Sequence, residues 1–136
     1  MNRIAFILLV ALVSCTPKVI EKTTKVYPGG QPESIMYFNE GDSNPFAQKV
    51  FYSDGKMKIE GSFENGKRQG VWTSYYQNGQ IWTINVYDQD TNHGEYIMYN
   101  SDGTVKLKGQ YDHGEETGTW IINDERGNFI QEKTFN

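Results

Sequence analysis

One cysteine, two histidines and a short run of oxygen-bearing side chains are the residues in this 136-residue sequence whose types suggest chemistry. Cys15 is the sole cysteine, so no disulfide can close within the chain, and a catalytic thiol is not expected. Asp88-Gln89-Asp90-Thr91-Asn92-His93-Gly94 alternates oxygen donors in the manner that suits Ca²⁺. Its glycine comes one place late for an EF-hand, however, and Tyr99 stands where the bidentate acid belongs. His93 and His113 fall at non-equivalent turn positions, with no Cys and no second His at a ligand spacing, so zinc is not expected. Glu115-Glu116 reads most simply as a solvated turn. Nothing favours a glycosidase carboxylate pair, and no GxSxG, P-loop or GxGxxG is present. The expectation is therefore a non-enzyme, with no catalytic residue, no metal and no small-molecule cofactor.

The elements around these residues follow a strict period. Gly55, Gly79, Gly103 and Gly127 are each 24 residues from the next, as are Phe63, Tyr87, Tyr111 and Phe135. The sets Gly70, Gly94, Gly118 and Trp72, Tyr96, Trp120 keep the same step. A period of this size marks a repeat architecture, which usually offers an extended surface rather than one deep pocket. The best-formed unit starts with a turn at Asp54-Gly55. Lys56 to Phe63 then alternates, with Met57, Ile59, Gly61 and Phe63 on one face and Lys56, Lys58, Glu60 and Ser62 on the other. Period two predicts a half-buried strand. Glu64-Asn65-Gly66 is a hairpin signal, because Asn-Gly accepts positive φ. Gly70 to Tyr76, rich in aromatic and β-branched residues, is a second strand. The expected fold is all-β: an antiparallel meander, one hairpin per repeat, with units near residues 27–50, 51–74, 75–98 and 99–122 and a partial unit at 123–136. The leading unit at 27–50 is irregular, with Pro45 where Gly70 stands in the next, and the regular units that follow, 51–74, 75–98 and 99–122, are units one, two and three. Trp72, Tyr96 and Trp120, together with Phe63, Tyr87 and Tyr111, recur with the period. They therefore read as packing positions rather than a carbohydrate-stacking ladder.

The pattern Tyr52-Ser53-Asp54-Gly55, Phe63-Glu64-Asn65-Gly66, Gly70-Val71-Trp72 resembles the bacterial MORN repeat variant and recurs over roughly residues 27–135. The resemblance implies an extended, twisted antiparallel sheet without agreed catalytic residues. It also implies a role as a scaffold, a membrane-associated module or an antitoxin-like component.

The N-terminus carries a second resemblance. Met1-Asn2-Arg3 is a short basic flank, and the apolar run Ile4 to Val13 has signal-peptide length, well short of the roughly 20 residues of a membrane span. Leu12-Val13-Ser14-Cys15 resembles the lipobox of bacterial lipoproteins. It implies removal of residues 1–14, a covalent lipid on Cys15, and anchoring outside the cytoplasm at the cell envelope, in the outer membrane if there are two. More than one acyl chain anchors stably where one does not. Residues 15–25 are polar, contain Pro17, and read as a tether, with the repeat domain at 26–136. Removing residues 1–14 takes Arg3 and moves the formal charge from −4 to −5. That balance argues against nucleic acid and anionic lipid as the main partner.

One strand departs from its neighbours. Trp82, Ile84 and Val86 occupy the places held by Lys58, Glu60 and Ser62 in one unit and by Lys106, Lys108 and Gln110 in another. In the preferred reading the segment Ile35 to Phe51 folds over this face and buries it. In the alternative the three form an exposed docking patch. The functional expectation is a membrane-anchored module that binds another protein or itself. The alternatives are an antitoxin-like or immunity protein that neutralises a toxin, and a glycan-binding surface protein.

Overall fold

The computed structural model describes residues 17–136. The signal segment 1–14 and Cys15 lie outside the described residues. Ten strands follow one another: β1 (Val19–Val26), β2 (Pro32–Asn39), β3 (Ala47–Phe51), β4 (Met57–Glu64), β5 (Lys67–Tyr75), β6 (Ile81–Asp88), β7 (Thr91–Tyr99), β8 (Val105–Asp112), β9 (Glu115–Asn123) and β10 (Phe129–Phe135). They form one open antiparallel sheet in chain order, without a crossover. The all-β meander expected from the period-two pattern is what the chain forms.

Two kinds of turn alternate along the sheet's two long sides. On one side lie the turns that contain the periodic glycines. Gly55, Gly79, Gly103 and Gly127 have φ between +80° and +90°, the left-handed region that glycine enters without steric cost. The Tyr52 N–H donates to Lys56 O at 2.8 Å and the Gly55 N–H to Tyr52 O at 2.9 Å, and the same pair of bonds recurs at Tyr76 and Asn100. A side-chain bond then links each turn to the next unit. Tyr27 Oη donates to Phe51 O (2.9 Å), Tyr52 Oη to Tyr75 O (2.6 Å) and Tyr76 Oη to Tyr99 O (2.8 Å). Where the series reaches Asn100, its Nδ2 donates to Asp124 O at 3.1 Å. On the other side two-residue turns join β4 to β5, β6 to β7 and β8 to β9. All six of their central residues have positive φ: Asn65-Gly66, Gln89-Asp90 and His113-Gly114.

The sheet is a single layer, and its packing is largely aromatic. Trp72 lies across Gly61 and Trp120 across Gly109, so that a Cβ at either glycine would collide with the indole. Phe63 meets Trp72 edge-on (5.2 Å between centroids, 80°), and Tyr111 meets Trp120 in the same way (5.1 Å, 81°). Tyr96 stacks on Trp120 at 5.8 Å. The rings take the place of a second layer, since each buries a large area and edge-to-face pairs add to that. Trp120 is 4% exposed and Ile97 8% exposed, and no described side chain is fully buried.

Two expectations are corrected. The stretch read as a tether reaches into the sheet, because β1 begins at Val19 and pairs with β2 from Val19↔Asn39 to Val26↔Pro32. All eight β1 residues are exposed, so no buried face imposed the alternation by which a strand is recognised. Second, Ile35 to Phe51 does not fold over β6. That segment supplies β2 and β3, which extend the sheet sideways, Ile35 paired with Lys49 and Val50 with Ile59. Ladder pairing satisfies the backbone of these strands, which a cover over the face would leave open.

Candidate functional site

Two places concentrate side chains beyond the needs of the repeat. The first is centred on β6. Strand alternation puts Trp82, Ile84 and Val86 on one face, opposite the aromatic layer, and pairing carries that face across the sheet. Thr73 lies opposite Ile84, Ile84 opposite Ile97, Ile97 opposite Lys108 and Lys108 opposite Ile121, while Val71 lies opposite Val86. Trp82 is 43% exposed, Val71 56% and Ile121 38%; Ile84 and Val86 are half-buried. The Trp82 indole leans on the Tyr76 ring, 5.9 Å between centroids. No described segment covers this surface. Polar contacts flank it: Lys108 Nζ pairs with Glu95 Oε1 at 2.7 Å, and the neutral Tyr75 Oη donates to Glu60 Oε1 at 2.6 Å. Burial, followed by that bond to Glu60, pushes the Tyr75 phenol up to about 12. The sequence reading found Trp82, Ile84 and Val86 by comparing units. It missed Val71, Ile97 and Ile121, which join the patch only through cross-strand register.

The other expected positions fall where the period places them. Gly55, Gly79, Gly103 and Gly127 sit in the turns, and Phe63, Tyr87, Tyr111, Trp72, Tyr96 and Trp120 on the aromatic face. Unit two is the odd one here too: Asn85 replaces Gly61 and Gly109, and Tyr96 replaces the tryptophan. Asn85 Nδ2 donates to Asn92 Oδ1 at 3.1 Å, while Asn85 Oδ1 is buried without a partner.

The second place is the side of the two-residue turns, where the Gln89-Asp90 and His113-Gly114 turns each hang on the strand of the preceding unit, Asp90 N–H donating to Arg68 O and Gly114 N–H to Asn92 O. Arg68 grips the β6–β7 turn: its backbone N–H and its Nε both donate to Asp90 Oδ1, at 2.9 and 3.1 Å, and its guanidinium lies over the Tyr87 ring. The Arg68 backbone N–H bond, followed by the side-chain bond, lowers the Asp90 carboxyl below its ordinary range. The candidate calcium segment is thus a tight hairpin turn with the Asp90 carboxylate engaged by Arg68. One unit further on, His93 and His113 meet, contrary to the expectation drawn from their spacing. Asp112 Oδ1 lies 3.2 Å from His93 Nδ1 and 2.6 Å from His113 Nδ1, and the rings are 4.8 Å apart. Linear spacing failed because stacking of consecutive units sets residues about 20 apart side by side.

With this geometry in view, the comparison with known families is direct. Three segments of the chain match the MORN repeat variant: residues 47–65, 68–89 and 92–113. Each matched segment is a strand, a periodic-glycine turn and the next strand: β3–β4, β5–β6 and β7–β8. The matched repeat is therefore cut through the two-residue turns, in a different phase from the units drawn on sequence, with the same period. MORN repeats typically serve as protein- or membrane-interaction modules and are generally non-catalytic, which is compatible with a scaffold. No curated protein matches the chain.

Proposed function

We propose that this chain is a lipid-anchored, non-catalytic module of a bacterial cell envelope that docks a protein partner on the β6-centred face. The observation that carries the proposal is the apolar surface of Val71, Trp82, Ile84 and Val86, which adjoins the buried Ile97, with Ile121 lying beyond Lys108. It lies on the face where neighbouring units place lysine and glutamate. Exposed apolar area rimmed by polar groups marks a contact site, and tryptophan is among the residues enriched at interface hot spots. Anchoring rests on Leu12-Val13-Ser14-Cys15. Were Cys15 lipidated, residues 15–18 would allow the β1 edge to stand no more than about 14 Å from the bilayer surface.

The docking reading is tested by a crosslinking pull-down from native membranes with the full lipoprotein and with Trp82→Ala. One stoichiometric protein partner, lost in the variant while its melting stays cooperative, supports the proposal. Loss of cooperative melting in Trp82→Ala places the residue in the packing and overturns it. No partner in either sample also overturns it and shifts weight to a glycan ligand. Anchoring is tested separately. Cys15→Ala is expected to abolish incorporation of labelled fatty acid and to release the protein from the membrane fraction. Retention at wild-type levels would sink the lipoprotein reading.

A further inference from the structure

The repeat supplies a template at the two-residue turns. In unit two the positions are Gln69, Asp88 and Gln89. The Gln89 backbone N–H and Nε2 donate to Gln69 Oε1 at 3.0 and 3.2 Å, and Gln69 Nε2 donates to Asp88 Oδ1 at 3.2 Å. These side chains close an amide network in which donors meet acceptors. Moving 24 residues along gives His93, Asp112 and His113 on the same backbone frame. The substitution of both amides by imidazoles keeps the convergence and changes its chemistry. Two ring nitrogens and a carboxylate now point at one locus, their ligand atoms all within 4.8 Å of one another. The equivalent turn of unit one has Glu64 and Asn65 with Pro45, so the imidazole pair is peculiar to this turn.

We propose that His93, Asp112 and His113 form a surface site for a borderline divalent transition-metal ion, with Zn²⁺ as the reference case. Imidazole and carboxylate are the donors such ions take, at bond lengths near 2.0–2.2 Å. Ligand atoms on a tetrahedral zinc stand roughly 3.3 Å apart. Asp112 Oδ1 already lies 3.2 and 2.6 Å from the two Nδ1 atoms, and binding draws together a set that now spans up to 4.8 Å and releases the His113 backbone N–H from His93 Nδ1. The site lies at the strand ends: His93 stands near the start of β7 beside Gly94, Asp112 ends β8, and His113 begins the β8–β9 turn with φ of +47°. The Asp112 pair position across the hairpin is Glu115, which adds negative charge beside the locus. The side chains of His93, Asp112 and His113 are 44%, 62% and 78% exposed, so the ion is open to solvent and exchangeable, and water completes its coordination.

The test is calorimetric titration of the untagged full chain with ZnCl₂ in a non-chelating buffer. The chain has only two histidines, so histidine-dependent binding reports on this locus alone. One ion per chain is expected, released by EDTA, with affinity at least tenfold weaker in His93→Asn and in Asp112→Asn. The double variant His93→Gln with His113→Gln rebuilds the amide pair of Gln69 and Gln89. It is expected to keep the wild-type circular dichroism while binding no zinc. Binding that persists in the double variant overturns the proposal, as does its absence in the wild type at millimolar zinc.

Discussion

Replacing Trp120 by alanine is expected to cost about 3–5 kcal/mol, the range for truncating a large aromatic in a packed site. For a chain of this size that is a fall of about 10–20 °C in melting temperature. The residue is 4% exposed and touches Tyr111, Tyr96 and Phe135, so three strands lose their shared contact at once. One feature works against it: Trp120 Nε1 is buried without a partner, whereas Trp72 Nε1 donates to Ser62 O at 3.1 Å. A buried unsatisfied donor is costly, so Trp120→Phe, which removes the donor and keeps a ring, should lose much less than the alanine variant. Because each repeat contacts only its neighbours, the damage should be local. Amide hydrogen exchange should accelerate in β7 to β10 and stay near wild type in β3 to β5. An even loss of protection over the whole sheet would contradict the single-layer account.

Gly109→Ala should be the next most damaging change despite adding only one methyl group, at about 1–3 kcal/mol. Gly109 is not needed for positive φ. Its requirement is steric: the Trp120 ring occupies the space where a Cβ would go. The cost should therefore depend on the indole. In a double-mutant cycle, Gly109→Ala should add little once Trp120→Ala is present, giving a large coupling term. Full additivity would show that the glycine acts through backbone freedom instead. Unit two agrees with the steric account, since Asn85 takes the glycine's place where Tyr96 takes the tryptophan's.

Most of the fold could be read because the same local decision is made repeatedly. The periodic-glycine turns and the aromatic positions repeat their evidence every 24 residues, so one unit confirms the next. The reading failed where the environment is not periodic. β1 has no buried face and so no alternation, and Ile35 to Phe51 looked available as a cover because its unit is irregular. The candidate patch was half legible: Trp82, Ile84 and Val86 stand out along one strand, but Val71, Ile97 and Ile121 are brought beside them only by pairing. The histidine pair was invisible for the same reason. Its convergence depends on how one unit sits against the last, a relation that spacing within a unit does not contain. The Gln69–Gln89 pair, 20 residues apart like His93 and His113, becomes a clue only once the stacking is known.

The uncrossed strand order makes the sheet's length an adjustable quantity. Ten strands in sequence give nine steps of about 4.8 Å, so β10 stands about 43 Å from β1 along the sheet. A duplication or loss of 24 residues, cut at the same place in two units, restores the register on both sides and changes that distance by two strands, about 9.6 Å. Chains of this kind can thus be lengthened or shortened in whole increments without redesigning a core. Under the anchoring proposed above, each increment would set how far from the membrane the last strand can be displayed.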